Sequence, residues 1–274
     1  MRKYGKYFNV EVKPEFSPVI MFAAGFTAKD LLFDWTAFKV PNGGNRLMGI
    51  TAVVRSNDGA DQTCAMDIFI ARTSVGAGDV AAGTAPTSMV TPHDAATTNP
   101  ANPYWGDIVG HMKLTADNFS TVGAVESGMT VGSTGRQTGD DSTPGLVGPS
   151  PLILDGYGSS TENLDDSEGF YTYYLGATAI GTPNFDSNLA YVSGTGNDIT
   201  VDGINAGLYL APGDRIKALD ITDNTTIIDI GTVGTVPDDT SILLKDEATS
   251  IGTLADGDLI FNIHPIKLIL HFER

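Results

Sequence analysis

Residues 30–44 read DLLFDWTAFKVPNGG, and the alternation in this run decides the fold class. Leu31, Phe33, Trp35 and Ala37 alternate with Leu32, Asp34, Thr36 and Phe38 as far as a Pro41-Asn42-Gly43-Gly44 turn. Period-two patterning closed by Pro, Asn and Gly is the signature of a strand running into a tight turn. The competing reading is helical, because Leu31, Leu32, Trp35 and Phe38 also fit one face of a helix over residues 29–38. Residues 47–54 and 65–70 continue the strand pattern on either side of the polar run Ser56-Asn57-Asp58-Gly59-Ala60-Asp61, which reads as a hairpin.

Outward from this region the chain stays β-like. Towards the N-terminus, Tyr7, Asn9 and Glu11 alternate with Phe8, Val10 and Val12, and Pro14 restricts this opening strand to an edge or an end. Downstream, strand patterns return at residues 170–175, 188–192, 198–201 and 207–220. The turn Leu210-Ala211-Pro212-Gly213-Asp214-Arg215-Ile216 is written again as Leu254-Ala255-Asp256-Gly257-Asp258-Leu259-Ile260. In each, Pro or Asp with Gly makes a tight turn and Asp leads into a new strand. Between the two, residues 225–230 and 241–245 read as a small hairpin turning at Val236-Pro237-Asp238-Asp239. The last strand, residues 259–272, is a long apolar run broken by Pro265.

The middle differs. From residue 74 to 166 the pattern dissolves into Gly, Ala, Thr, Ser, Asn and Pro, with short clusters at Tyr104-Trp105 and Pro151-Leu152-Ile153-Leu154. Structureless runs of this length are uncommon inside compact domains, so the segment is expected to be an insertion outside the core. The organisation expected is a single all-β domain over residues 1–274, a jelly-roll-like antiparallel β-sandwich with a loop-rich insertion at 74–166 and a β-hairpin insertion at 221–253. Two domains divided near Asp155 form the competing arrangement.

Composition narrows the function classes. The chain holds 32 Gly and 14 Pro, with 41% hydrophobic and 18% charged residues, a globular balance skewed from helix formers towards turn and strand formers. A formal net charge of -17 and a pI near 4.3 oppose nucleic acid and anionic membranes as partners, since phosphate binding needs clustered Lys and Arg. From Thr73 to Asp214 the only basic residues are Lys113 and Arg136. No run approaches the roughly 18 apolar residues of a spanning helix, and residues 1–6 lack the apolar core of a signal peptide, so assembly in a cytoplasm is expected.

Candidate chemistry is sparse. Cys64, the only cysteine, lies in a strand pattern and reads as a buried packing residue. His93, His111, His264 and His271 lack the short spacing of a metal site on one element. Asp165, Asp166 and Glu168, and Asp220, Asp223 and Asp229, miss the spacing of a calcium loop. No nucleophile elbow, phosphate loop or dinucleotide fingerprint occurs, so no cofactor, metal or catalytic residue is assigned. Aromatic pairs offer another lead: Tyr171 with Tyr173 and Phe170 with Tyr174 alternate faces on one strand, and Tyr104 with Trp105 sits in a long loop; outward pairs suit a protein interface or a carbohydrate platform, and the competing reading is that they cap the sandwich core. Arg2, Lys3 and Lys6 make a basic N-terminal arm able to reach an acidic neighbour.

The 30–72 stretch with its Val40-Pro41-Asn42-Gly43-Gly44 turn, the acidic loop-heavy middle and the paired Leu-Ala-x-Gly-Asp-x-Ile turns resemble virion structural proteins of tailed bacteriophages, especially those that decorate or cement capsids. The resemblance implies a non-enzymatic protein, often trimeric, on the capsid exterior of the virion, with the major capsid protein and neighbouring copies of itself as partners. The usual tailed-phage major capsid protein is a poorer match, because its long spine helix has no amphipathic counterpart in this chain. A tail-fibre, baseplate or glycan-binding module is the alternative, and a glycan hydrolase with two opposed carboxylates the third class.

Overall fold

A strand whose apolar residues recur at every second position buries one face and leaves the other outside, and the C-terminal strand does this over its whole length. Ile266, Leu268, Leu270 and Phe272 are buried, whereas Lys267, Ile269, His271 and Glu273 are not. The structure is a computed structural model that describes residues 7–22, 26–28, 30–57, 62–72, 108–116, 119–122, 126–132, 145–147, 152–155, 164–165, 169–202, 205–246 and 250–274. In chain order the strands are β1 (Tyr7–Val12), β2 (Leu31–Pro41), β3 (Gly44–Arg55), β4 (Met66–Arg72), β5 (Ile108–Leu114), β6 (Ser120–Thr121), β7 (Glu126–Gly132), β8 (Gly145–Val147) and β9 (Leu152–Asp155). They continue as β10 (Leu164–Asp165), β11 (Phe170–Ala179), β12 (Tyr191–Thr195), β13 (Asp198–Val201), β14 (Arg215–Leu219), β15 (Ile227–Asp238), β16 (Ser241–Leu244), β17 (Leu259–Asn262) and β18 (Ile266–Glu273). Two single-turn helices interrupt them, α1 (Pro18–Phe22) and α2 (Ala206–Tyr209).

These strands form three sheets, and every pairing among the described residues is antiparallel. The first has the order β1-β18-β3-β7-β6, with β9 also on β3; the second has the order β10-β11-β4-β5-β8, with β2 also on β11. Their inner faces share one core, with Leu47, Ile50 and Val54 from β3 and Leu268 and Leu270 from β18 joined to Met66, Ile68 and Ile70 from β4 and Leu175 from β11. This is the expected all-β antiparallel sandwich. The helical alternative for residues 29–38 is excluded, because β2 runs along β11 from Pro41↔Phe170 to Leu31↔Thr178, with register shifts near Ala177. Phe16, Phe26 and Phe185 close one end of this core edge-to-face, with ring centroids 5.2 to 6.4 Å apart.

Residues 74–166 correct the expectation that they lie outside the core. They supply β5 to β10, spread over both sheets of the sandwich, and Met112, Leu114 and Leu154 are 0% exposed. The strands here are short, and glycine replaces side chains where elements crowd: a Cβ on Gly110 would lie 2.4 Å from a Leu152 methyl. Strands this short, set between long polar runs, leave only a faint alternation.

The third sheet, β12-β13-β16-β15-β14-β17, carries a second core of Leu189, Tyr191, Ile199, Ile216, Ile230 and Ile242 among others. Within residues 221–253, β15 and β16 pair as a hairpin, but Asp238 faces Ser241 across the turn. The turn therefore spans Asp238 to Ser241, two residues on from the Val236–Asp239 position read from sequence and overlapping it. Pro237 stays inside β15 where the register shifts between Thr235 and Asp238, a position at which its missing N–H costs no ladder bond. The two cores share strands: Leu219 and Phe261 belong to the sandwich core, while their neighbours Ala218 and Ile260 belong to the second, since successive strand residues point to opposite sides.

Where the cores meet, Asn57 is 1% exposed. Its amide nitrogen donates to the carbonyls of Phe185 (3.2 Å) and Asn262 (3.3 Å), and its amide oxygen accepts from the Asn262 N–H (3.0 Å). Ser187 works beside it, donating to the Ile260 carbonyl at 2.6 Å and accepting from Leu189 N–H at 3.2 Å. An Asn57→Ala substitution strands buried backbone groups and is expected to cost about 3 kcal/mol. In urea unfolding followed by near- and far-UV circular dichroism, the variant is expected to show a lower midpoint; an unchanged midpoint contradicts this role.

Candidate functional site

The repeated turns read from the sequence adopt the same geometry. Gly213 has φ +94° and Gly257 φ +96°, the left-handed region that favours glycine. In each turn the Asp N–H donates back to the Ala carbonyl, at 3.0 Å for Asp214 and 3.1 Å for Asp258. The Asp carboxylate accepts from the N–H of the same Ala, at 2.7 Å for Ala211 and 2.8 Å for Ala255. The turns lead into β14 and β17, which pair with each other, β17 standing at the end of the strand order. Their environments differ. Asp258 is 1% exposed and, after burial, its charge is a further cause holding the Tyr191 hydroxyl above its ordinary pKa. Asp214 reaches out of its sheet to Arg55 on β3, at 2.8 Å.

That ion pair sits in a cavity of about 130 Å³ between the outer face of the first sheet and the 211–214 turn. Its walls include Lys13, Arg55, Asp214, Asn262, His264 and Lys267. Ladder register explains the company. Val12 faces Leu268 and Lys267 faces Val53, so Lys13 falls beside Lys267, and Arg55, two residues from Val53, lies on the same outward face. His264 is held there by its N–H donating to Asn262 Oδ1 at 2.9 Å. Burial pushes its pKa below the usual imidazole value; Lys13 and Arg215 act in the same sense, while Glu15 and Asp214 oppose them.

The sign of the His264 contribution follows. Its folded-state pKa lies below the unfolded one, so the unfolded chain takes up the proton first. The stabilising contribution is present above the unfolded value and declines as pH falls through the window between the two. A His264→Gln variant is expected to lose less thermal stability than the parent chain between pH 7 and pH 5, read by differential scanning calorimetry. Equal losses contradict the assignment.

The opposite pole of the sandwich is marked by the turn at Asn42 and Gly43, which Arg274 clasps by donating to the Asn42 carbonyl at 2.7 Å. Tyr7 faces Glu273, Gly44 faces Asp155, Pro41 faces Phe170, Phe170 faces Asp165 and Ala71 faces Ile108. Segments 1–6, 73–107, 156–163 and 166–168 therefore all join the described strands at this pole. Their sequences are oppositely charged: residues 1–6 hold Arg2, Lys3 and Lys6 without an acid, while the other three hold Asp79, Asp94, Asp107, Glu162, Asp166 and Glu168 without a Lys or Arg.

The residues singled out from sequence are dispersed. Arg2, Lys3, Lys6, Tyr104 and Trp105 lie outside the described residues, as do His93, Asp166 and Glu168. Tyr171 and Tyr173 correct the expectation of an outward aromatic pair, for both are 1% exposed in the sandwich core, with ring centroids 4.9 Å apart. Inverse parity put Phe170 outward instead, at 36% exposure. Cys64 is buried as expected, and burial pushes its thiol far above the ordinary range. His111 stacks on Phe69 with centroids 4.7 Å apart and meets Asp67 at 2.8 Å, and His271 lies between Thr51 and Asn9. Asp223 accepts from the Thr226 hydroxyl and from the Thr225 and Thr226 N–H groups, which lowers its pKa to about 2; Asp220 binds Thr222 and Asp229 pairs with Arg215. Among the described residues no three His, Cys, Asp or Glu side chains are grouped to hold a metal ion. The cationic cavity was missed in the sequence, and only the outward position of Lys267 on the terminal strand hinted at it.

Comparison with models of known families gives no match, and comparison with curated proteins gives none either. Among solved structures the chain is similar to a "putative secreted protein" from Parabacteroides distasonis ATCC 8503, at 12% identity over 98% of this chain and 82% of that one, with a TM-score of 0.20. It is also similar to the major capsid protein P2 from bacteriophage PM2, at 10% identity over 98% of this chain and 97% of that one, with a TM-score of 0.12. Both scores are too low to indicate a shared fold.

Proposed function

We propose that this protein is a non-enzymatic structural component of a phage particle, which decorates the capsid exterior and stabilises the shell through contacts with the major capsid protein and with neighbouring copies of itself. The observation that carries the reading is that the strand ends from which residues 1–6, 73–107, 156–163 and 166–168 continue lie at one pole of the sandwich, the first of these sequences being basic and the other three acidic. Opposite charges at the same pole suit head-to-head or ring-like contacts between copies, a homotrimer being the simplest such ring. The other pole is occupied by the third sheet, so contacts with a shell and contacts between copies have separate places to form. The resemblance of the sequence to decoration proteins supports the choice of a capsid as the partner. Long-range steering by such charges falls away with salt over a Debye length of about 8 Å at physiological ionic strength.

The test uses undecorated shells assembled from the major capsid protein of the same virus. The full chain is expected to co-sediment with them and to raise their disruption temperature. A variant with Arg2→Glu, Lys3→Glu and Lys6→Glu is expected to bind at least ~10-fold more weakly at physiological salt, a factor equivalent to about 1.4 kcal/mol. Failure of the parent chain to bind, or equal binding by the variant, overturns the reading.

A further inference from the structure

The cavity between the first sheet and the 211–214 turn is cationic in a chain whose net charge is -17. Lys13, Arg55 and Lys267 line it against one carboxylate, that of Asp214. Arg55 is engaged by Asp214 at 2.8 Å, and Lys13 by Glu11 at 3.0 Å in a half-exposed pair. Lys267 has no ion-pair partner among the described residues. Lys13 directly follows Val12, the last residue of β1, which faces Leu268, so continuing the antiparallel register sets it beside Lys267; both line the cavity, and like charges placed side by side repel. A pair of lysines over a partly enclosed space is unfavourable with water alone and becomes favourable when an anion lies between them.

We propose that this cavity is a binding site for the side-chain carboxylate of an acidic peptide segment, held between Lys13 and Lys267 with Arg55 behind them. Size restricts the ligand: about 130 Å³ accepts a carboxylate and its last methylenes, and lies well under the roughly 300–1,000 Å³ of a drug-sized ligand site. The Asn262 side chain and the half-buried His264 complete the wall. The charged groups around His264 are Lys13, Arg215, Glu15 and Asp214; a further negative charge in the cavity favours the imidazolium. The site lies at the end of β1 away from Tyr7, and it stands whether or not the protein decorates a shell. An occupant here touches both the sandwich and the 211–214 turn of the third sheet, so binding also ties the two cores together.

The experiment titrates the full chain with a blocked tetraglutamate peptide and, separately, with inorganic phosphate, following the His264 ring by NMR and affinity by calorimetry. The peptide is expected to bind, to raise the His264 midpoint, and to bind at least ~10-fold more weakly to the Lys13→Gln/Lys267→Gln variant, while Lys245→Gln, on the third sheet, leaves binding unchanged. The ligand-free Lys267→Gln variant is expected to melt no lower than the parent, because a repulsion is removed; a purely structural lysine predicts a lower melting temperature. No peptide binding, or binding indifferent to Lys13 and Lys267, overturns the proposal. Phosphate binding with the same lysine dependence and no peptide binding overturns the peptide occupant and assigns the site to a free oxyanion.

Discussion

Asn57 holds the place where the chain leaves the sandwich for the third sheet and the place where it returns. Its amide is nearly inaccessible to water and binds backbone groups of Phe185 and Asn262, more than a hundred residues downstream. A buried amide left unmatched costs far more than a matched one contributes, so these three segments are constrained to one relative position. Everything at the seam inherits that constraint. Asn262 is fixed in β17, β17 and β14 align, and the alternate residues of those strands then point into separate cores. The Ser187 bonds to Ile260 and Leu189 repeat the device one strand away.

This arrangement makes the molecule polar in the geometric sense. One pole of the sandwich is plugged by Phe16, Phe26 and Phe185 and by the third sheet; the other carries the Asn42-Gly43 turn and the points of attachment of the long polar segments. Acidic residues are spread along the chain and through the third sheet as well, while the outer face of the first sheet at the seam keeps three cations close together. A protein that is acidic as a whole therefore keeps a cationic cavity at the seam, and carries a second basic run in the sequence of residues 1–6.

The paired Leu-Ala-x-Gly-Asp turns show how one local solution is used twice. Backbone geometry is the same in both, down to the Ala N–H to Asp carboxylate bond, yet Asp258 is sealed into the second core and Asp214 projects to Arg55. Local sequence sets the turn. What the carboxylate does next is set by the strand that happens to lie above it.

Much of the architecture was legible because strand alternation is a local property. Residues 266–272 bury alternate side chains for a reason contained within that stretch, whereas in β2 the buried parity switches between Trp35 and Phe38, and the Gly213 and Gly257 turns require only their own backbone freedom. The middle of the chain was misread for the same reason in reverse: β5 and β7 contain glycines that permit close approach, and their places between other strands leave no mark on neighbouring residues. Tyr171 and Tyr173 could be put on one face of a strand, but which face met the core depended on β2 and β4 to either side. Lys13, Arg55 and Lys267 are unremarkable surface cations until β1, β18 and β3 are laid side by side. The sequence by itself determined the strands, the turns and the acidic balance, since these rest on backbone propensity and composition. Only the tertiary structure decided the seam, the shared cores and the cationic cavity, because hydrogen-bond pairing between strands brings together residues as far apart as Asn57 and Asn262, 205 positions along the chain.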